Sequence, residues 1–107
     1  MPDLEPSDVV NDEDHHRLVM ARDGQEAELM YERVGNQLLL IHTEVPEEIA
    51  GQGIAASLVE AAVRWAERDT LVIVPWCPYV RKRLQEHPDV AAAVQIDWDT
   101  LPRRRPG

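Results

Sequence analysis

One cysteine, Cys77, is the whole thiol content of this chain, so an internal disulfide is excluded and a reducing compartment is expected. Basic charge is also scarce: 11 lysines and arginines stand against 20 aspartates and glutamates, a formal net charge of −9. That balance excludes nucleic acid as a partner, because the phosphate attraction behind such binding would be reversed. Read one way the carboxylates only provide solubility; read the other way they favour a cationic partner such as an amine or a basic peptide. No apolar run approaches membrane-spanning length. The acidic start, Met1-Pro2-Asp3-Leu4-Glu5-Pro6, has neither the basic region nor the apolar core of a leader, so the cytoplasm is the expected location. Close pairs of histidine and cysteine at zinc spacing are missing too, and no metal is expected.

What is present fits one domain: 107 residues, 44% of them hydrophobic, with no internal repeat. Residues 1–14, rich in Asp, Glu and Pro, read as a disordered acidic lead-in. The folded domain is expected over residues 15–98, followed by a basic tail over 99–107 that contains Arg103-Arg104-Arg105. A short strand is predicted over Arg17 to Arg22, and Asp23-Gly24 gives a hairpin turn. The next strand, Glu26 to Val34, alternates Ala27, Leu29, Tyr31 and Arg33 against Glu26, Glu28, Met30 and Glu32. Gly35-Asn36 makes the second turn, and Gln37 to Thr43 the third strand of an antiparallel meander.

A helix comes next. Ile54, Leu58, Ala61, Ala62 and Trp65 fall on one face at steps of three and four, and the helix should end near Arg68 and Asp69. Thr70 to Val74 reads as a buried strand at the sheet's centre, paired in parallel through a crossover. Pro78 sits comfortably in the first turn of a second helix, which should stop before His87-Pro88 with the histidine binding its last carbonyls. Val90 to Ile96 reads equally as a strand or a helical turn. The fold class is α+β: a mixed sheet with an antiparallel meander, then a β-α-β crossover and a C-terminal helix.

Chemistry is concentrated after the third strand. The loop holding Gly51-Gln52-Gly53 opens straight into the long helix through Ile54, Ala55 and Ala56, so several backbone N–H groups and the positive end of a helix dipole converge. Such a spot holds a diphosphate without any lysine; read structurally, the same glycines make a tight turn. Cys77 falls at the start of the second helix, where negative charge is favoured and a thiol gains nucleophilicity; packed under the sheet it would be inert. His42, near the strand end, is a candidate general base or a structural histidine. Tyr79 is a candidate phenolic donor or a core residue. Arg81, Lys82 and Arg83 form a basic stripe, either a solvated face or a seat for an outlying phosphate.

These segments resemble the GNAT superfamily of acetyl-coenzyme A dependent N-acetyltransferases, in particular its short single-domain, YjdJ-like branch. The matching stretches are His42-Thr43-Glu44-Val45-Pro46, Gly51-Gln52-Gly53-Ile54-Ala55 and Val74-Pro75-Trp76-Cys77-Pro78-Tyr79-Val80, with His87-Pro88 behind them. With the Met30-Tyr31 strand they cover roughly residues 16 to 92. The resemblance implies a sheet splayed at its middle with coenzyme A in the opening. Pantetheine would pair with the strand bearing Thr43, Glu44 and Val45, and pyrophosphate would rest on Gly51 to Ala56. Lys82 and Arg83 would meet an outlying phosphate. Glu48 stands where the superfamily usually carries Arg or Gln, and since a carboxylate cannot donate to phosphate, the loop relies on backbone donors. The activity implied is acetyl transfer to a primary amine, either a small amine or a protein lysine. His42 would be the base and Cys77 or Tyr79 the proton donor; in a variant, Cys77 carries the acetyl group covalently. The alternative is an acyl-coenzyme A binding module with little or no turnover.

Overall fold

Two tight turns lay down the sheet. The computed structural model describes residues 8–100 of the chain. Asp23 and Gly24 both take positive φ, 52° and 76°, as a type I′ hairpin demands. They join β2 (Arg17–Arg22) to β3 (Gln25–Val34), with Arg22 facing Gln25. At the second turn Gly35 alone has positive φ, the pattern of a type II′ hairpin, and the chain returns as β4 (Gln37–Glu44). A helix, α1 (Ile54–Asp69), then carries the chain to β5 (Val72–Pro75), which pairs with β4 in parallel.

Beyond β5 come α2 (Pro78–Glu86), the single-turn α3 (Pro88–Ala91) and β6 (Gln95–Ile96), parallel to β5. The segment that read equally as strand or helical turn is therefore both in succession. One further strand, β1 (Val10–Asp12), lies antiparallel on β2. The six strands stand in chain order, β1 to β6, in one mixed sheet.

Three expectations need correction. Residues 8–14 are not a disordered lead-in: Val10 pairs with Val19, and Tyr31 donates its hydroxyl to Asn11 Oδ1 at 2.6 Å. The rest of that lead-in, and most of the basic tail, lie outside the described residues. The parallel strand begins at Val72 instead of Thr70, because Thr70 takes the left-handed position that ends α1 and returns its N–H to the Ala66 carbonyl. It is also one strand from the edge, with only the two-residue β6 beyond it. Finally, α2 does stop before His87, but its backbone N–H, not its ring, donates to the Arg83 carbonyl.

The core sits between the sheet and a single layer of helices. Successive parallel crossovers in one direction and of one hand put α1 and α2 on the same side, and α1, α2 and α3 all touch one another. From β3 the odd residues Ala27, Leu29 and Tyr31 are buried; Glu26, Met30 and Glu32, on the other face, are exposed. Ile54, Leu58, Ala62 and Trp65 of α1 close over them, and Val80 and Leu84 of α2 extend the core. Each large apolar side chain so buried stabilises the fold by about 1.5–3 kcal/mol.

Tyr31 ties β1 into this core. Its ring meets Trp65 edge-on at 4.9 Å and stacks on His16 at 6.2 Å. Burial, with the charge of Glu13, pushes its phenol above the ordinary range, so it remains a donor to Asn11. Tyr31→Phe should cost about 1 kcal/mol. In a thermal melt that corresponds to a drop of about 4–8 °C; an unchanged midpoint would show that the Tyr31–Asn11 hydrogen bond adds nothing to stability.

Candidate functional site

The sheet opens where β4 outruns β5. Their pairing runs from Gln37↔Val72 to Leu40↔Pro75 and stops there. The Leu40 carbonyl accepts the N–H groups of Trp76 (3.0 Å) and Cys77 (2.8 Å) as the chain turns into α2. From Ile41 to Glu44, β4 continues with no strand on that side among the described residues. On its other side the register with β3 shifts: Tyr31 faces Leu40, but Met30 faces His42. Ile41 is thus an extra residue, a bulge that bends the strand and re-aims the side chains beyond it. His42 and Glu44, opposite Met30 and Glu28, emerge on the face away from the helices, whereas Thr43, opposite Leu29, points toward them.

The loop after β4 is anchored by one apolar residue. Ile49, at the end of a 3-10 turn (Glu47–Ile49), is fully buried, while Glu47 and Glu48 stay in solvent. Gly51 and Gly53 then take φ of 81° and 78°, the left-handed region where a side chain costs energy. Ser57 closes the first turn of α1, its N–H and hydroxyl both reaching the Gly53 carbonyl. Among the described residues, nothing accepts from the six N–H groups of Gly51, Gln52, Gly53, Ile54, Ala55 and Ala56. The first turn of α1 also has no acidic residue and no side-chain cap. Six N–H donors without a protein partner among the described residues thus stand at and before the positive end of a 16-residue helix, an end that favours negative charge.

Across the gap from β4 stands Cys77, at the N-cap of α2 and only 3% exposed. Its Sγ lies 3.4 Å from Thr43 Oγ1, so the helix start and the free part of β4 meet through these two side chains. His42 is on the opposite face of the sheet, its Nε2 4.0 Å from Glu44 Oε2, and makes no hydrogen bond to Cys77. Tyr79, in the first turn of α2, is 39% exposed.

A sequence profile described as "GCN5-related N-acetyl-transferase" matches residues 17–94, from β2 through α3. The chain belongs to this family. Protein NATD1 of Gallus gallus is 34% identical over 86 residues, covering 78% of each chain. Protein NATD1 of Mus musculus is 40% identical over 63 residues, covering 58% of this chain and 57% of its own. A GCN5-like protein from Staphylococcus aureus, solved in solution by NMR, shares the fold. Its TM-score is 0.64 at 24% identity, over 92% of this chain and 96% of that one.

In this GCN5-related domain the basic stripe is not one unit. Arg81 donates to the Trp98 carbonyl and stands 5.6 Å over the Trp98 ring. Arg83 reaches Glu60 of α1 at 3.7 Å. Lys82 is exposed and makes no ion pair among the described residues. The structure thus brings Thr43 of the free part of β4 against Cys77 at the start of α2, and puts His42 on the opposite face of the sheet. Sequence reading missed both the bulge at Ile41 and the Thr43–Cys77 contact. Cross-strand register produced both, and the one local signal was the proline pair around Trp76 and Cys77, which ends β5. No helix among the described residues is long and apolar enough to cross a membrane.

Proposed function

We propose that this chain transfers an acetyl group from acetyl-coenzyme A to a primary amine. The observation that carries the reading is the run of six N–H donors from Gly51 to Ala56 with no protein partner among the described residues, following a β4 whose last residues, on the side of β5, have no strand partner among them either. The substrate supplies the acetyl group as an activated thioester. Gly51, Gln52, Gly53, Ile54, Ala55 and Ala56 hold its diphosphate through backbone donors, and Lys82 and Arg83 are the cations nearest in role for an outlying phosphate. The edge of β4 at Thr43, Glu44 and Val45 offers main-chain groups to the pantetheine amides.

The incoming ammonium must lose a proton before its nitrogen attacks. His42, solvent-facing and beside Glu44, takes that proton directly or through water. The departing thiolate needs one proton back, and Cys77 or Tyr79 supplies it. The Thr43 hydroxyl orients Cys77 from 3.4 Å away. In the covalent variant the Cys77 sulfur takes the acetyl group first, its proton passing to the departing coenzyme A thiolate, and leaves again as the thiol when the amine attacks. In both routes the ammonium nitrogen gives up two protons, one to His42 and one that restores the sulfur or its proton donor, so one proton is released overall. A second reading, an acyl-coenzyme A binding module with little turnover, is favoured by one observation: His42 and Cys77 lie on opposite faces of the sheet.

Calorimetric titration with acetyl-coenzyme A, then intact mass and an amine-dependent assay of free thiol, tests these readings together. Saturable binding with amine-dependent thiol release is the expected result. Added acetyl mass that Cys77→Ala removes would identify the covalent route. Binding without release for any amine would leave the binding module, and absence of binding would overturn the proposal.

A further inference from the structure

All three helices occupy one side of the sheet, so among the described residues no helix packs on the other side. That face is not uniformly polar. Val10, Met30 and Val34 lie on it with 65%, 39% and 53% of their surfaces exposed, and Ile41 at the bulge is 37% exposed. Toward β5 the face is closed, since Leu39 and Val74 are buried. Toward β1 it opens into a groove of about 540 Å³, lined by Val10, Asp12, Arg17, Val19, Ala21 and Glu26.

Charge says what covers it. The register puts Asp12, Glu26, Glu28, Glu32 and Glu44 on this face, and among the described residues of these strands Arg17 is the only arginine or lysine there. Arg17 is already shared by Asp12 (3.1 Å), Glu28 (2.9 Å) and Glu26 (3.5 Å). Among the described residues, Glu32 and Glu44 have only histidines within ion-pair range, His16 at 3.7 Å and His42 at 4.0 Å. Glu28 and Glu44 stand directly opposite each other across β3 and β4, an arrangement of like charges that a cation between them would relieve. A second copy of this chain would set carboxylates against carboxylates.

We infer that the helix-free face of β1 to β4 docks an extended, lysine- and arginine-rich peptide segment, which it leads into the opening beside β4. Glu26 to Glu32 spans about 20 Å along β3, and side chains on one face of an extended chain recur about every 7 Å. Same-face side chains of a peptide laid along β3 therefore meet Glu26, Glu28, Met30, Glu32 and Val34 in turn, basic ones on the glutamates and the apolar stems or portions on Met30 and Val34. The face is continuous with the opening through Glu44 and His42. The identity of this peptide as the acetyl acceptor rests on the acetyltransferase reading; the docking itself does not.

The test uses the full chain, a fluorescein-labelled peptide alternating lysine and glycine, and the same peptide with glutamate for lysine. The lysine peptide should bind saturably and weaken by about tenfold as salt is raised from low to above physiological strength. The glutamate peptide should not bind. Amide shifts should move in β2, β3 and His42 to Glu44. The double variant Glu26→Gln/Glu32→Gln, both at solvent-facing sites, should lose about tenfold in peptide affinity. Its melting temperature and its titration with acetyl-coenzyme A should not change, which separates failure of this proposal from failure of the transferase reading. Unaltered peptide affinity in the variant, or shifts confined to α1 and α2, would overturn it. So would spermine matching the peptide's affinity, which would make a small polyamine the occupant. Self-association through this face would overturn it in favour of a second copy.

Discussion

Gly53→Glu should abolish measurable binding of acetyl-coenzyme A, a loss of at least about 100-fold, while Gly53→Ala loses far less. Both substitutions put a side chain at φ 78°, where an L residue costs about 1–2 kcal/mol. That shared cost cancels in the comparison. What remains is a carboxylate beside donors that are proposed to receive a diphosphate, a repulsion of about 2–3 kcal/mol or more in a partly desolvated site. Gly53 is also the N-cap of α1, and its carbonyl takes two bonds from Ser57, so the backbone there has little room to turn aside. Isothermal titration of the two variants, with circular dichroism to confirm that each is folded, checks this. Equal affinities for the two would show that the loop is a turn and not an anion seat.

Leu29→Ala should cost about 3 kcal/mol, within the 2–5 kcal/mol that truncating a buried leucine removes. Leu29 is 0% exposed, faces Leu18 on β2 and Thr43 on β4, and lies beneath α1. For a domain of this size the midpoint of thermal unfolding should fall by more than about 10 °C. Total stability of about 5–15 kcal/mol makes that a large fraction. Leu29→Met, which keeps the volume, should cost under about 1.5 kcal/mol. Because Leu29 supports Thr43 across the strand pair, the alanine variant should also loosen the Thr43–Cys77 contact, read as faster alkylation of Cys77. Melting curves and thiol-labelling rates on the three proteins measure both effects.

Local chemistry wrote much of this fold directly. Asp23-Gly24 and Gly35-Asn36 place two hairpins because few other residues tolerate those backbone angles, and alternation along β3 then says which side of the sheet is dry. Apolar spacing from Ile54 to Trp65 and the glycine bracket before it define α1 and its free N-terminal donors. Pro78 and Pro88 mark the starts of α2 and α3. Each of these is decided within a few residues, by steric limits on φ or by the period of apolar side chains.

Register is a different matter. Nothing near Ile41 in the chain announces a bulge: it exists because Tyr31 meets Leu40 while Met30 meets His42, a competition between two strands. That one-residue slip sends His42 and Glu44 to the helix-free face and Thr43 toward Cys77, which is 34 residues away along the chain. The strand at Val10–Asp12 was invisible for a related reason. Its three residues carry little pattern of their own, and it forms because Val10 finds Val19 and Asn11 finds the Tyr31 hydroxyl. Sequence alone determined β2 to β5, α1, α2 and the glycine loop before α1, since those rest on local backbone preference and periodic hydrophobicity, and its motifs carried the family resemblance. Only the tertiary structure decided which side chains share the opening and which face of the sheet is left bare, because both depend on pairings between residues that the chain keeps far apart.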